Sequence, residues 1–276
     1  MKSITFIIFS KNRPLQLHAL LRSLHLHCDP KPLIYILYAT DDQDYYRQYS
    51  EVFFELSTYL SIIPVWQTQE FSFHVKTILR SLQSKFVSFL VDDIIFIRPL
   101  RFQYLLPFLI TKTLGSLRLG QSITYSYMLD KNQDLPPLKP FGNLFRWKWN
   151  KGGIDWQYPF SLDGNVFVTE FISKLMRGCS FNSPNSLEDA LQKFSKKYQH
   201  YYGLCFPQPV LVNIPANKVQ TDLPNNRSGS ADPKELSNLW DQGYQIDITS
   251  LTDMQCNSVH VEVPFTLEKR PIAEAL

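Results

Sequence analysis

Glycine is scarce: there are 10 in 276 residues, and none precedes Gly115. That removes the glycine-rich phosphate loop with which nucleotidyltransferases usually open. Cysteine is nearly as sparse. Cys28, Cys179, Cys205 and Cys256 lie far apart with no CxxC pair, which argues against a zinc ribbon and against a disulfide framework. No stretch approaches the roughly 20 apolar residues that a membrane helix needs. The short apolar run 4–9 is followed at once by Lys11, Asn12, Arg13 and Pro14, and reads as a strand entering a loop rather than a signal peptide. A soluble, cytoplasmic protein is the expectation. A net charge of +3 without runs of like charge is too small to imply a nucleic-acid or a polybasic membrane partner.

What is present is an ordinary globular composition, 44% hydrophobic and 19% charged, with an aromatic share of 14%. The first hundred residues alternate short apolar runs with amphipathic stretches. Strands are expected over 4–9, 33–38, 62–66 and 86–91. Leu17, Leu20, Leu21 and Leu24 mark a helix that Pro14 would start; further helices are expected over 45–59 and around Val75–Leu82 by number 75–82. Such alternation predicts an α/β fold with a mainly parallel twisted sheet and helices on both faces. Beyond residue 100 the spacing predicts helices over 102–110, 168–176, 187–197 and 233–240, and strands over 114–119, 210–214 and 258–263. Between them lies an irregular, aromatic-rich segment, 120–160.

Asp92 and Asp93 interrupt an otherwise apolar run, 86–97. Ionised carboxylates there need a cation or several donors, and a hard cation such as Mg2+ or Mn2+ suits them. In an open parallel sheet, ligands sit outside the carboxyl ends of the strands. Ser10–Pro14 by number 10–14, Asp41-Asp42 and Asp92-Asp93 would then open on one edge, as a cleft for a metal-bridged nucleoside diphosphate. Lys76 and Arg80, one helical turn apart, are placed to neutralise phosphates.

These residues resemble the GT-A glycosyltransferases. The loop Ser10-Lys11-Asn12-Arg13-Pro14 with a leucine-rich helix is similar to their opening, and Leu90-Val91-Asp92-Asp93 to their DxD element, although Val91 stands where a full motif has its first acid. The resemblance is good over the first hundred residues and weaker beyond. It implies a single domain over 1–276, with a nucleotide-sugar donor half (1–119) and an acceptor half with a C-terminal lid (120–276). It also implies a metal-dependent transfer from a UDP- or GDP-type sugar to a glycan or lipid-linked acceptor, in polysaccharide assembly, with peripheral membrane association open. By that resemblance Asp93 holds the Mn2+ or Mg2+ with His260 as a further ligand. Ser10, Asn12, Arg13, Asp92 and Lys76 line the donor site, and Asp41 or Asp42 contacts the base. Arg227 closes over the diphosphate. Trp156 or Tyr158 stacks on the acceptor sugar, and Asp163 bonds a hydroxyl. Glu188 or Asp189 is the general base of an inverting reaction. Against this stand two structural alternatives: Ser186 and Asp189 have capping-box spacing, and the aromatics are equally core material. The rival functions are a nucleotidyltransferase, disfavoured by the missing glycines, and a non-catalytic carbohydrate-binding protein of the same fold.

Overall fold

A computed structural model describes residues 4–110, 112–216 and 232–271. Its frame is a nine-stranded sheet. In chain order the strands are β1 (Ile4–Lys11), β2 (Leu33–Ala39), β3 (Ser61–Trp66), β4 (Phe86–Val91), β5 (Thr113–Ser116), β6 (Lys139–Phe141), β7 (Leu144–Lys148), β8 (Asn165–Val168) and β9 (Tyr202–Cys205). Across the sheet they run β6-β7-β9-β5-β8-β4-β1-β2-β3. β1 pairs parallel with both β2 and β4, and β2 with β3. β8 is antiparallel to both β4 and β5, β9 is parallel to β5, and β6 and β7 are antiparallel.

The uninterrupted apolar run of β1 follows from its central place. Covered on both faces, it has no solvent side to make polar. β3 is the outer strand and carries Pro64, whose missing N–H is tolerated at a sheet edge. The helices are α1 (Pro14–His27), α2 (Gln43–Leu56), α3 (Phe71–Ser81), α4 (Thr169–Met176), α5 (Pro184–Gln192), α6 (Ser195–Tyr198) and α7 (Pro233–Asp241). α1 packs against α2 and α7, and α3 against α4. Strands from both sides of residue 120 share the one sheet.

Three expectations are corrected. The span 102–110 forms two short 3-10 turns, Phe102–Tyr104 and Leu106–Phe108, because Pro107 lacks an N–H and its ring clashes with the preceding turn. The stretch 258–263 is no strand; only His260 bridges, to Asn213. The helix expected over 187–197 begins at Pro184 and stops at Gln192, with α6 following. The aromatic segment 120–160 is ordered into β6 and β7 around Trp147, Trp149 and Trp156, all fully buried. Among the described residues no helix is long and apolar enough to cross a membrane.

Candidate functional site

Because β1, β2 and β4 run in parallel, their carboxyl ends open on one edge of the sheet. Phe9 lies opposite Val91, and Lys11 opposite Ala39. β5 points the same way, since β8 opposes both β4 and β5; the start of β8 therefore comes to the same edge. This rim gathers Ser10–Arg13 by number 10–13, Asp41, Asp92, Asp93, Arg118 and Asp163.

The donor-side carboxylates are held by a buried lattice. Asp92, 3% exposed, accepts from Ser10 Oγ (2.8 Å), the Lys11 N–H (3.2 Å) and Arg13 Nη1 (2.9 Å). The same Nη1 reaches Asp93 Oδ2 at 3.1 Å. Tyr49 of α2 closes the lattice: its hydroxyl lies 2.6 Å from Ser10 Oγ and accepts the Arg13 N–H at 3.0 Å. Asn12 takes φ 53°, a left-handed conformation that Asn tolerates. This turns its amide onto Asp41, to which Nδ2 donates at 2.7 Å. Lys11 Nζ lies 3.2 Å from the same exposed carboxylate. Asp42 instead caps α2 by accepting the Tyr45 N–H (2.9 Å).

Asp93 links this lattice to the second half of the chain. Its carbonyl accepts from Ile214 N at 2.8 Å, and its Oδ1 accepts from Asn213 Nδ2 at 3.1 Å. Asn213 bridges to His260, and His260 Nε2 lies 3.1 Å from Asp163 Oδ2. Burial, reinforced by Asp92 and Asp163 and opposed by Arg13 and His260, pushes the Asp93 carboxyl up to about 6. Burial also pushes Asp163 upward, but the His260 imidazole, with Arg118 and Asn213, outweighs it and holds Asp163 below its ordinary value.

Glu188 completes the cluster from α5. Its Oε1 accepts the Leu162 N–H at 2.7 Å, and its Oε2 accepts the Tyr158 hydroxyl at 3.3 Å. Burial, reinforced by Asp163 and opposed by the Leu162 N–H and Arg118, pushes its carboxyl up to about 6. Asp189, next along the helix, is exposed. The cap of α5 is Ser183 paired with Ser186, so the Ser186–Asp189 capping box does not form and Glu188 lies beyond the first turn.

Other expected site residues lie elsewhere. Lys76 donates to the Cys179 carbonyl at 2.9 Å and stands over the Phe181 ring, which anchors it between α3 and the chain after α4. Trp156 is 0% exposed, donates to the Ile123 carbonyl at 2.9 Å and packs edge-on against Trp147, so it is core and stacks on no ligand. Tyr158 does reach the cleft. Arg227 lies outside the described residues. Sequence reasoning missed Tyr49, Arg118 and Asn213. Tyr49 is hidden in the apolar stripe of α2, and Asn213 is an ordinary polar residue that ends the short strand Leu211–Asn213. Arg118, a cation inside the apolar run Leu117-Arg118-Leu119, carried a readable signal.

Whether Mg2+ or Mn2+ fits is decided by the donors. Each Asp93 oxygen already accepts a hydrogen bond, one from Arg13 and one from Asn213, and His260 faces Asp163. Among the described residues no group of three or more His, Cys, Asp or Glu side chains is arranged to hold a metal ion. As arranged, these residues do not fit one; the cation between the carboxylates is the Arg13 guanidinium.

The features so far define an α/β protein with an acidic, arginine-bridged cleft at the carboxyl edge of its sheet. The chain is similar in structure to several transferases. S. aureus TarS is 15% identical at TM-score 0.46, over 75% of this chain and 35% of that one. The mannosyltransferase PcManGT from Pyrobaculum calidifontis, in complex with GDP-Man and Mn2+, is 13% identical at TM-score 0.45, over 76% and 55%. A nucleotidyl transferase from Methanothermobacter thermautotroptrophicus is 9% identical at TM-score 0.38, over 75% and 88%. The chain thus spans about a third of the length of TarS. Likeness at this level assigns neither a substrate nor residue roles. No family model matches the chain, and neither does any curated protein.

Proposed function

We propose that the chain is a GT-A-type glycosyltransferase that moves a sugar from a nucleoside-diphosphate sugar to a hydroxyl of a glycan or lipid-linked acceptor, with inversion. One observation carries the reading: a half-buried carboxylate raised to about 6, Glu188, shares a cleft with the polar loops that end β1, β2 and β4. That edge is where open α/β sheets hold nucleotides.

In this reading the donor half is 1–119 and the acceptor half is 120–276. Asp41, with Asn12 and Lys11, meets the nucleoside at the exposed end of the rim. Ser10, Tyr49 and Asp92 hold Arg13 and the β1 loop in place, and Arg13 fixes Asp93. Glu188 takes the proton from the acceptor hydroxyl as its oxygen bonds to the anomeric carbon. The bond from that carbon to the diphosphate oxygen breaks, and its electron pair leaves with the nucleoside diphosphate. A base works best when its pKa lies near the operating pH, and burial beside Asp163 moves Glu188 in that direction. Tyr158, hydrogen-bonded to the same carboxylate, orients it.

The test is a thermal-shift screen of UDP and GDP, each with and without Mn2+, followed by nucleotide-sugar hydrolysis by the wild type and Glu188→Gln. Nucleotide-dependent stabilisation and hydrolysis lost in the variant are the expected results. A chain that no nucleotide stabilises is not a glycosyltransferase.

A further inference from the structure

The acceptor side of the cleft contains a cation that the reaction above does not use. Asn165 of β8 lies opposite Ser116 of β5, and the Leu117 N–H donates to the Gly164 carbonyl at 3.1 Å. Continuing that register sets Arg118 across from Asp163. Ser116 and Asn165, directly opposite each other, share a face of the sheet, and Arg118 and Asp163 follow just past the two strand ends, near enough for the Arg118 cation to act on the Asp163 carboxylate. This polar patch is deeply buried: Ser116 and Asn165 are 0% exposed and Arg118 is 2% exposed.

The patch is also unsatisfied. Arg118 Nε and Nη2, Ser116 Oγ and Asn165 Oδ1 have no hydrogen-bond partner. Asp155 Oδ1 stands 3.6 Å from Arg118 Nη2, beyond hydrogen-bond reach, and Asp155 Oδ2 is taken by Gln133 Nε2 at 2.8 Å. The Tyr158 ring lies 5.8 Å from the guanidinium and covers one face without accepting a hydrogen bond. Asp155 thus pairs with Arg118 by charge alone, and a buried guanidinium edge without hydrogen bonds is among the costlier exceptions to the rule that buried polar groups are hydrogen-bonded. Nε and Nη2 form one edge of the guanidinium fork, which matches a planar carboxylate with two parallel bonds. Ser116 and Asn165 add a hydroxyl and an amide oxygen beside it, the complement of sugar hydroxyls. A phosphate dianion suits the place less, because Asp155, Asp163 and Glu188 already surround it with negative charge.

We propose that Arg118, with Ser116 and Asn165, forms a subsite for the carboxylate of an acidic sugar, carried by the donor or by the acceptor. The substrate class rests on the glycosyltransferase reading; the subsite itself does not.

Calorimetric titration of the full chain tests it with matched pairs. The donor arm compares UDP-glucuronate with UDP-glucose, and GDP-mannuronate with GDP-mannose. The acceptor arm compares methyl glucuronide with methyl glucoside, with and without nucleotide. In at least one pair the acidic member binds about tenfold or more tighter, as a charged hydrogen-bonded pair allows. Arg118→Gln brings that ratio to one, at a melting temperature that is lower where Asp155, Asp163 and Glu188 are ionised because they lose their neighbouring cation. Equal binding within every pair overturns the subsite. So does a lowered melting temperature in Arg118→Gln with the acidic preference retained, which makes Arg118 structural. If Arg118→Gln does not fold, Arg118→Lys decides: a preference reduced several-fold supports the fork, and an unchanged one overturns it. Preference for methyl glucuronide in a chain that binds no nucleotide would sink the glycosyltransferase reading and leave the subsite standing.

Discussion

Replacing Glu188 by Gln should make the protein more stable and less active, and the stability gain should depend on pH in a stated direction. The carboxyl rises from 4.5 to about 6, through burial first and Asp163 second. A raised carboxylate pKa means that Glu188 contributes stability below pH 4.5, where it is protonated in both states, and loses that contribution as pH rises through about 6. A rise of that size corresponds to about 2 kcal/mol, and partial solvent contact lowers it to about 1–2 kcal/mol at pH 8. Gln keeps the acceptor for the Leu162 N–H, and the Tyr158 hydroxyl can reverse to accept from the new amide, so little else is lost. The variant should melt about 2–6 °C above the wild type at pH 8, with the gap closing by pH 4.5. Turnover should fall about 10²- to 10⁴-fold, the usual contribution of a general base, and wild-type turnover should rise as pH increases through about 6. Melts from pH 4 to 8 and initial rates on the same samples read both. A variant less stable than the wild type at pH 8, or a gap independent of pH, would refute the electrostatic account of this site.

Asp92→Asn should lower stability by about 3 kcal/mol in urea titrations, because it removes the better-connected of two buried partners of Arg13. Asp41→Asn should leave the melting temperature within about 1 °C, the carboxylate being exposed, while nucleotide affinity measured by calorimetry falls about tenfold. Trp156→Phe should cost about 1–3 kcal/mol by stranding the Ile123 carbonyl, with the acceptor KM unchanged, since the indole is core.

The first four strands were legible because a parallel sheet covered on both faces needs unbroken apolar runs, and β1 and β4 have them. Their shared polar edge followed from the same alternation. The pairing of Arg13 with both Asp92 and Asp93 was not legible, since it depends on the loop geometry that Asn12 sets with its positive φ. Beyond residue 100 local pattern failed for two physical reasons. Pro107 broke an apolar stretch into 3-10 turns, and short strands such as β8 and β9 are defined by partners distant in sequence. Trp156 and Tyr158 show the limit most plainly. Two aromatics two residues apart read alike, yet one is fully buried beside Trp147 and the other bonds Glu188 in the cleft.

Glu188 and Asp189 looked interchangeable for a similar reason, and the cap of α5 separates them. Once Ser183 and Ser186 close the N-terminus, rotation of about 100° per residue turns Glu188 toward Leu162 and Asp189 out to solvent. The same cap fixes the charge balance of the cleft. Asp93, Asp163 and Glu188 face one interior with Arg13 and Arg118. Arg13 is bound to the donor-side carboxylates, whereas Arg118 has only a long ion pair with Asp155 at 3.6 Å, its Nε and Nη2 making no hydrogen bond. Burial, with repulsion from Asp163 added and the two arginines only partly opposing it, pushes the Asp93 and Glu188 carboxyls up to about 6. A negative charge that reaches Arg118 on a substrate would therefore complete the hydrogen bonds of the guanidinium while adding to the repulsion on Glu188, making that base stronger when the acidic sugar is in place.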